Sequence, residues 1–353
     1  MTVNEDTLNE FIGRFLTDFG AAMHASTVVI GDKLGLYKLL ASKGPSTGVD
    51  VAAAGGFDKR LVEEWLNAQF ASGYCDYDPE TGSFSLSEEQ AAVLADESTP
   101  AFLAGAMTLA GSLYKDEEMI REAFRSGEGV GWHAHADDLF CGVERMFKPG
   151  YLANLSSAWI PALDDVEERI STDEARIADV GCGYGASTIL LAKEYPSADV
   201  IGFDNHEASI TVARQRAADA GVADRVRFQV ASAQDFPGGG YDLVCTFDAL
   251  HDMGDPIGAA SHIRESLGPD GTWMLVEPIA EDGLENNVNP VSRIYYSAGV
   301  GICTPAAQSQ AGGFALGNQV SDSRWSELLG QAGFTRFRRA TETPFNRVFE
   351  VRS

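Results

Sequence analysis

The second half of the chain alternates between segments with strand and helix patterns. From about residue 175 onward, apolar runs of strand length appear in RIADVG, ADVIGFD, VRFQVA, YDLVCTFD and TWMLVEP. Apolar residues at helical spacing fill ASTILLAKEY, HEASITVARQRAADAG and DPIGAASHIRESLG between them. This alternation predicts an α/β fold with a parallel sheet. After a further helix, TRFRRATET and NRVFEVRS are joined by Pro344-Phe345, so they must form an antiparallel pair.

A glycine-rich turn follows the first of these strands, in the segment IADVGCGYGAST. Its spacing, Gly181-x-Gly183-x-Gly185, differs from the G-x-G-x-x-G of dinucleotide sites. Such a turn brings backbone N–H groups and a helix N-terminus close to a ligand. Asp179 precedes the turn and suits a ligand with an ammonium group, because it would repel a pyrophosphate. Asp204 ends the next strand, where a carboxylate can accept both hydroxyls of a ribose.

Length, cysteine pattern and net charge limit the classes of protein to which this chain could belong. The 353 residues are enough for two domains. The five cysteines are dispersed without a C-x-x-C pair, which favours a reducing compartment over a disulfide framework or a zinc site. The start MTVNEDTLNEF lacks the pattern of a signal peptide, and a cytoplasmic location is expected. The formal net charge of −26 argues against a nucleic-acid partner, since such proteins carry a basic face.

The first half of the chain has the pattern of a winged helix. Residues 22–95 read as three helices and a hairpin, with Asp58 as an N-cap and a D-P-E-T-G turn. The third helix is net acidic, which favours a module for dimerisation and for covering the other domain over DNA binding. Residues 99–170 are predicted to be helical throughout. We place a helical, winged-helix-like dimerisation and lid domain at 1–165 and the α/β domain at 166–353.

The ordered motifs D-V-G-C-G-Y-G, G-F-D, Y-D-L-V-C-T-F-D-A-L-H-D and G-T-W-M-L-V-E-P resemble those of class I S-adenosylmethionine-dependent methyltransferases. With the N-terminal module, the chain resembles two-domain small-molecule O-methyltransferases, most of all uncharacterised mycobacterial-type members. The resemblance implies a Rossmann-like methyltransferase domain whose C-terminal strand is antiparallel. It also implies S-adenosylmethionine as cofactor, S-adenosylhomocysteine as product and a small-molecule acceptor. The apolar first helices predict a homodimer through the N-terminal domain.

The resemblance also implies roles for individual positions. Asp179 and the Gly181–Gly185 turn would hold the methionine part of the cofactor, and Asp204 with Asn205 the ribose. The adenine would meet the loop after VRFQVA. The reactive end of the cofactor would meet the end of the fourth strand and Tyr151 from the bridge. These positions are Ser232, Ala233 and Gln234 for the adenine, and Phe247, Asp248 and Tyr151 near the reactive end. Many relatives have Asp where this chain has Ser232, so the contact with the adenine amino group is left open among Ser232, Gln234, Asp235 and backbone.

His251 is the candidate base, because imidazole titrates near neutrality and the residue follows the fourth strand. A histidine in a similar stretch is the base in plant-type O-methyltransferases, and Asp252 and Glu277 are the matching acids here. Met253 stands where that family has tryptophan. The alternative interpretation is a histidine that only packs, as in a methyltransferase acting on nitrogen or carbon.

Two further segments are candidates for the acceptor pocket. In GWHAHADD, Trp132 and His133 are predicted to line it, with Phe147 from the bridge. His133, His135 and Asp137 could be read as metal ligands, but without a supporting Cys/His cluster no metal is expected. In the insertion after the fifth strand, Arg293, Tyr295 and Tyr296 are predicted acceptor contacts; packing tyrosines and a surface arginine are the alternative.

Two other functions remain open from the sequence. A regulator that senses S-adenosylmethionine and binds DNA through the winged helix is one, although the acidic third helix argues against it. A nicotinamide-dependent dehydrogenase is the other, although the glycine spacing argues against that.

Overall fold

The computed structural model describes residues 3–353. They form two compact units. The first comprises the described residues up to Tyr114 together with Asp137–Gly150, and the second comprises Lys115–Ala136 together with Tyr151–Ser353. Because the two units interleave along the chain, they do not define a single boundary. The boundary between residues 165 and 166 therefore stays a prediction.

The N-terminal part has the order helix, helix, helix, hairpin that the sequence predicts. Its elements are α1 (Glu5–Lys33), α2 (Leu36–Lys43), α3 (Gly48–Gly55), α4 (Lys59–Ala71), β1 (Asp76–Asp78), β2 (Ser83–Ser85), α5 (Glu88–Leu94) and α6 (Ala106–Lys115). Asp58 caps α4 by accepting the N–H of Leu61 at 2.9 Å, as predicted. β1 and β2 pair antiparallel, which confirms the hairpin. Trp65 and Leu66 of α4 are buried in the core of this unit.

The two basic side chains of α4 are paired with acids one turn further along. Lys59 lies 3.6 Å from a carboxylate oxygen of Glu63, and Arg60 contacts the carboxylate of Glu64. The helix that would read DNA in a winged-helix protein thus presents neutralised pairs rather than unopposed positive charge.

The bridging region contains α7 (Glu117–Ser126), α8 (Asp137–Asn154) and α9 (Val166–Ile170), with a π-helical turn at Leu155–Trp159. The prediction of helix throughout residues 99–170 is wrong at 99–105, before α6, and again around 127–131. Gly127 ends α7 at φ 77°, and Gly129 follows at φ 72°. A Cβ on Gly129 would lie 2.3 Å from the carbonyl oxygen of Pro305, so this loop needs glycine for a close approach to a later segment.

The second unit is built on a seven-stranded sheet. Its strands are β3 (Arg176–Val180), β4 (Asp199–Asp204), β5 (Val226–Val230), β6 (Tyr241–Phe247), β7 (Leu267–Pro278), β8 (Arg336–Glu342) and β9 (Asn346–Arg352). They lie in the order β5-β4-β3-β6-β7-β9-β8. β9 runs antiparallel to both its neighbours, whereas the other pairs are parallel. The predicted parallel sheet with an antiparallel C-terminal strand is therefore confirmed.

Helices connect these strands. They are α10 (Ala186–Glu194), α11 (Glu207–Asp219), α12 (Pro256–Ser266), α13 (Pro290–Ala298), α14 (Thr304–Gln308) and α15 (Asp322–Gln331). The sequence pattern predicts α10, α11, α12 and α15, whereas α13 and α14 of the insertion are not predicted. A π-helical turn, Gly299–Cys303, joins α13 to α14. The core between sheet and helices includes Trp273, Trp325 and Phe349, all fully buried. Within residues 3–353, no helix is both long and apolar enough to cross a bilayer.

Candidate active site

Four acidic side chains meet at one edge of the sheet. β4, β3, β6 and β7 are consecutive neighbours and run parallel, so their carboxyl ends share that edge. Asp179 is next to last in β3, Asp204 ends β4, Asp248 follows β6 and Glu277 is next to last in β7. Ligands of open α/β sheets bind at this edge. The strand order therefore brings together acids that are far apart in the chain.

Gly183 and Gly185 have different parts in the turn after β3. Gly183 has φ 52°, and a Cβ built on it would have no heavy atom within 4 Å, so the turn borders open space there. A Cβ on Gly185, which has φ 79°, would lie 2.8 Å from the ring of Phe228. Gly183 thus leaves room for a ligand, whereas Gly185 allows close packing of the turn on β5.

Both carboxylate oxygens of Asp204 accept backbone hydrogen bonds, one of them from the glycine turn. Oδ2 accepts the N–H of Gly183 at 2.9 Å, and Oδ1 accepts the N–H of His206 at 2.8 Å. Burial raises the pKa of Asp204, although these backbone hydrogen bonds oppose the shift. Each oxygen keeps a second lone pair for another donor. Asp204 can therefore hold the turn and a ligand hydroxyl pair together.

Asp179 is buried with one oxygen satisfied and the other not. Its Oδ2 accepts the hydroxyls of Ser187 at 2.6 Å and Thr188 at 2.7 Å, from the first turn of α10. Its Oδ1 is buried without a hydrogen-bond partner. Burial raises the pKa of Asp179 to about 6. An unpaired buried carboxylate oxygen is costly, and a donor from a ligand would relieve that cost.

Asp248, like Asp179, has one carboxylate oxygen with a hydrogen bond and one without, and its backbone is strained as well. Its φ is 49°, in the left-handed region that residues other than glycine rarely adopt. The Asn346 amide donates to Oδ1 at 2.7 Å, whereas Oδ2 is buried and unpaired. Burial, and then the charge of Glu277, raises the pKa of Asp248 well above its ordinary value. Strain and an unpaired oxygen at one residue are typical of a ligand site.

Aromatic rings border these acids. The ring centroid of Tyr151 lies 5.1 Å from that of Phe247 and 5.9 Å from that of Trp159, in the π-helical turn after α8. Burial, followed by the charges of Asp248 and Asp179, raises the pKa of Tyr151 well above its ordinary value. Tyr151 and Phe247 are therefore beside the acidic edge, where the sequence predicts them.

His251 lies between two carboxylates in the turn after β6. Its Nδ1 is 2.5 Å from Oε2 of Glu277, whose Oε1 accepts the N–H of Leu250 at 3.1 Å. Its Nε2 is 3.1 Å from Oδ1 of Asp252, without the alignment of a hydrogen bond. Burial alone would lower the pKa of His251, but the carboxylates of Glu277 and Asp252 raise it well above its ordinary value. The acids that the sequence pairs with His251 do contact it.

The insertion after β7 brings two further residues to this histidine. Cys303, in the π-helical turn, is buried and its Sγ interacts with His251. The Asn318 amide donates to that sulfur at 3.4 Å and to the Tyr295 carbonyl at 2.8 Å. Insertion of a π turn displaces the following residues around the helix axis, and such turns are frequent at functional sites.

Tyr295 and Tyr296 face different surroundings. The Tyr295 side chain is buried, its hydroxyl donates to the Phe345 carbonyl at 2.9 Å, and the charge of Asp248 contributes to its raised pKa after burial. Tyr296 is partly exposed and lines a separate cavity of about 510 Å³ with Phe124. Arg293 is exposed on the same helix. The acceptor roles of all three stay predictions.

The remaining predicted residues lie in several places. Ser232 is occupied in its own loop, where its hydroxyl donates to Asp235 at 2.7 Å; Ala233 and Gln234 follow it, and Asn205 is exposed beside Asp204. Trp132 is half-buried and His133 is exposed in a short 3₁₀ turn. Phe147 is in the part of α8 that belongs to the first unit. His135 is buried with its Nδ1 2.9 Å from the Asp116 carboxylate, whereas His133 is exposed, so the two rings lie in different surroundings.

Sequence reasoning missed Asn346 and Cys303. Asn346 is the first residue of β9, and only the pairing of β9 with β7 places it opposite Pro278 and near Asp248. A polar residue opening a strand after Pro344-Phe345 was the available signal. No sequence signal pointed to Cys303, since a lone cysteine in an apolar insertion resembles a packing residue.

Family comparisons agree with this architecture. Residues 171–330 match the model of a methyltransferase domain, and residues 22–96 match that of a winged helix-turn-helix domain. The chain therefore carries a segment that matches a methyltransferase domain and, before it, one that matches a winged helix-turn-helix domain. Its N-terminal domain is of the Rv2258c-like type.

Solved structures share the fold over nearly the whole chain. Human N-acetylserotonin methyltransferase, solved in complex with S-adenosylmethionine, aligns with a TM-score of 0.69 and 17% identity over 97% of each chain. An O-methyltransferase family protein from Burkholderia thailandensis aligns with a TM-score of 0.67 and 15% identity, over 100% of this chain and 99% of the other. At these identities the likeness establishes the fold.

Sequence relatives match only segments. A trans-aconitate 2-methyltransferase of Variovorax paradoxus is 50% identical over 124 residues, which are 35% of this chain and 43% of that protein. Across eight curated relatives, the chain spans between 5% and 56% of their lengths.

Proposed function

We propose that this chain transfers a methyl group from S-adenosylmethionine to a hydroxyl of a small molecule, with His251 as the general base. The observation that carries the proposal is the position of His251. It is buried at the carboxyl edge of the sheet with Nδ1 against Glu277, one turn from the strained Asp248. The methyltransferase-domain match and the neighbour solved with S-adenosylmethionine support the cofactor.

The residues at the sheet edge fit that cofactor. Asp179 Oδ1, buried without a donor, suits the ammonium group, and Asp204 has lone pairs for both ribose hydroxyls. The open space at Gly183 gives room for backbone approach to the ligand. The adenine would lie along the loop of Ser232, Ala233 and Gln234. The remaining predicted contacts are Gly181, Gly185, Asn205, Phe247, Asp248 and Tyr151.

The cofactor, when bound, supplies a methyl group that its sulfonium centre already activates. The protein then has to align the acceptor, exclude water and take the hydroxyl proton. A carboxylate only accepts hydrogen bonds, so Nδ1 of His251 carries the hydrogen toward Glu277. Because the pKa of His251 is raised, the neutral ring whose Nε2 accepts the proton forms only as the pH rises, and activity should increase with pH. Glu277 and Asp252 stabilise the imidazolium that results, and Glu277 also fixes the ring.

The test is methyl transfer to a panel of phenols, hydroxyquinones and hydroxy acids, followed as S-adenosylhomocysteine release. Wild type should turn over at least one of these acceptors, and His251→Ala should lose most of that activity. His262→Ala is the matched control, because His262 bonds the Phe236 carbonyl in another part of the domain. Full activity of His251→Ala on the same hydroxyl acceptor would contradict the base assignment.

We further propose that the chain is a homodimer through α1. One face of this helix exposes apolar side chains at helical spacing, each between 43% and 63% accessible: Leu8, Phe11, Ile12, Phe15, Leu16, Phe19 and Met23. An exposed apolar stripe of this length favours a protein partner, and a second copy offers the same stripe. The paired charges of α4 support dimerisation and site cover over DNA binding as the role of this domain. A monomeric mass by light scattering would contradict the dimer.

A further inference from the structure

Three side chains of different chemistry converge beside the sheet edge. One ligand atom each from His251, Asp252 and Cys303 lies within 4.8 Å of the other two. His251 and Asp252 come from the turn after β6, and Cys303 comes from the π-helical turn of the insertion. Two separate elements therefore build the cluster.

The donors are those that zinc prefers. An imidazole nitrogen, a thiolate sulfur and a carboxylate oxygen form the ligand set of borderline divalent cations, and harder ions such as magnesium favour oxygen alone. Three protein ligands and an open fourth position are typical of zinc sites that keep a water.

The orientation of the histidine fits a ligand of this kind. Glu277 holds Nδ1 at 2.5 Å, which turns Nε2 toward Asp252 and Cys303. A carboxylate on the far nitrogen is the usual support for a metal-bound imidazole. The amide of Asn318 supports Cys303 in the same way, by donating to Sγ at 3.4 Å.

Asp252 provides a second, independent sign. Its Oδ1 is buried and has no aligned hydrogen bond, although Nε2 of His251 is only 3.1 Å away. A buried carboxylate oxygen without a donor is unfavourable, and coordination to a cation would relieve it.

We propose that His251, Asp252 and Cys303 bind a zinc-like divalent cation and that this binding inhibits methyl transfer. The cation takes the lone pair of Nε2, and Cys303 gives up its thiol proton to solvent as it binds. With that lone pair occupied, His251 no longer accepts a proton. The binding itself stands apart from the proposed function, whereas the inhibition rests on it.

The first measurement is a titration of the chelator-treated full chain with Co²⁺ and then Zn²⁺, without cofactor or acceptor. We expect one equivalent of Co²⁺ to bind with a thiolate-to-metal absorption band in the near ultraviolet, and Zn²⁺ to displace it. Cys303→Ser should lose the band, and Cys141→Ser, the half-buried cysteine of α8, should keep it. An unchanged band in Cys303→Ser, or no band in wild type, would overturn the site.

Asp252→Asn is a second variant, in case Cys303→Ser does not fold. It should keep the sulfur band and bind Zn²⁺ at least ~10-fold more weakly, because one ligand is lost. Unchanged Zn²⁺ affinity would exclude Asp252 and overturn the three-ligand site.

A separate measurement distinguishes the site from the proposed function. Zn²⁺ should inhibit methyl transfer by wild type, and inhibition of Cys303→Ser should need at least ~10-fold more Zn²⁺. If Cys303→Ser loses the Co²⁺ band but His251→Ala retains full activity, the metal site is supported and the base assignment is wrong. Equal inhibition of both proteins would overturn the inhibitory role.

Discussion

The α1 face and the carboxyl edge of the sheet differ in what their side chains lack: apolar groups are exposed to water on α1, and polar atoms are buried without partners at the sheet edge. α1 leaves apolar side chains in water, with Phe11 63% and Phe15 60% exposed. The sheet edge keeps polar atoms away from water without partners, at Asp179 Oδ1 and Asp248 Oδ2. Exposed apolar surface is relieved by a protein surface, and a buried polar atom by a polar ligand. The contrast supports the proposals that α1 serves assembly and that the sheet edge binds the cofactor.

The largest effect should come from His251 at the sheet edge. His251→Ala should lower kcat by ~10²–10⁴-fold, because the hydroxyl loses its proton acceptor. Cofactor affinity should change little, since His251 is assigned to the acceptor proton. Single-turnover kinetics with the best acceptor of the panel would measure this, with His262→Ala as the control. A large loss of cofactor affinity with unchanged kcat would contradict the division of roles.

A substitution on the α1 face should change the dimer dissociation constant by a similar factor. Phe15→Glu should weaken dimerisation by ~10²–10⁴-fold, if each copy loses about 1.5–3 kcal/mol of apolar burial. Leu61→Glu is the matched control, because Leu61 is 72% exposed on α4 rather than on α1. Sedimentation over a range of concentrations would measure the dissociation constant. Equal effects of both substitutions would mean that α1 is not the interface.

A change of pH should have a smaller effect, on the affinity for S-adenosylmethionine. The pKa of Asp179 is raised to about 6 by burial, so below that pH its carboxyl becomes neutral and loses its attraction for an ammonium group. The Kd for S-adenosylmethionine should then rise by up to about tenfold per pH unit as the pH falls from about 7 to 5. Calorimetry across that range would measure it. Asp179→Asn should bind more weakly and flatten the profile; an unchanged slope would point to another group.

The smallest effect is expected from adding a methyl group at a glycine of the turn. A second glycine with positive φ serves to distinguish loss of space for the ligand from backbone strain. Gly183→Ala and Gly221→Ala both place a Cβ at positive φ, 52° and 69°, with no heavy atom within 4 Å. Each should lower the free energy of unfolding by about 1–2 kcal/mol. Gly183→Ala alone should weaken cofactor binding, because its Cβ enters the space proposed for the ligand. Equal binding by the two variants would place the cofactor elsewhere.

The sequence predicted the features that depend on local pattern and order. Alternating apolar periods predicted the sheet, and the acids at Asp179 and Asp204 followed from strand ends, whereas Glu277 came from the family resemblance. The N-cap Asp58 followed from side-chain chemistry alone. Those features need only the chain's own periodicity and the common edge of parallel strands.

What the sequence did not predict depends on distant pairing. Asn346 reaches Asp248 because β9 inserts next to β7, and Cys303 reaches His251 because a π turn rotates the insertion. The sequence also placed Tyr295 and Tyr296 together, but neighbouring residues on a helix point about 100° apart, so only Tyr295 is buried toward Asp248. Glycines at 127 and 129 interrupted the helix predicted there.

The most direct test of the sheet edge as a cofactor site is calorimetry of S-adenosylmethionine and S-adenosylhomocysteine binding. Wild type is compared with Asp204→Ala and with Asp199→Ala, which removes an exposed carboxylate from the other end of the same strand. We predict micromolar binding to wild type and Asp199→Ala, and binding at least ~10-fold weaker to Asp204→Ala, from the loss of hydrogen bonds to a charged group. Equal binding to all three proteins, or none to wild type, would contradict the account.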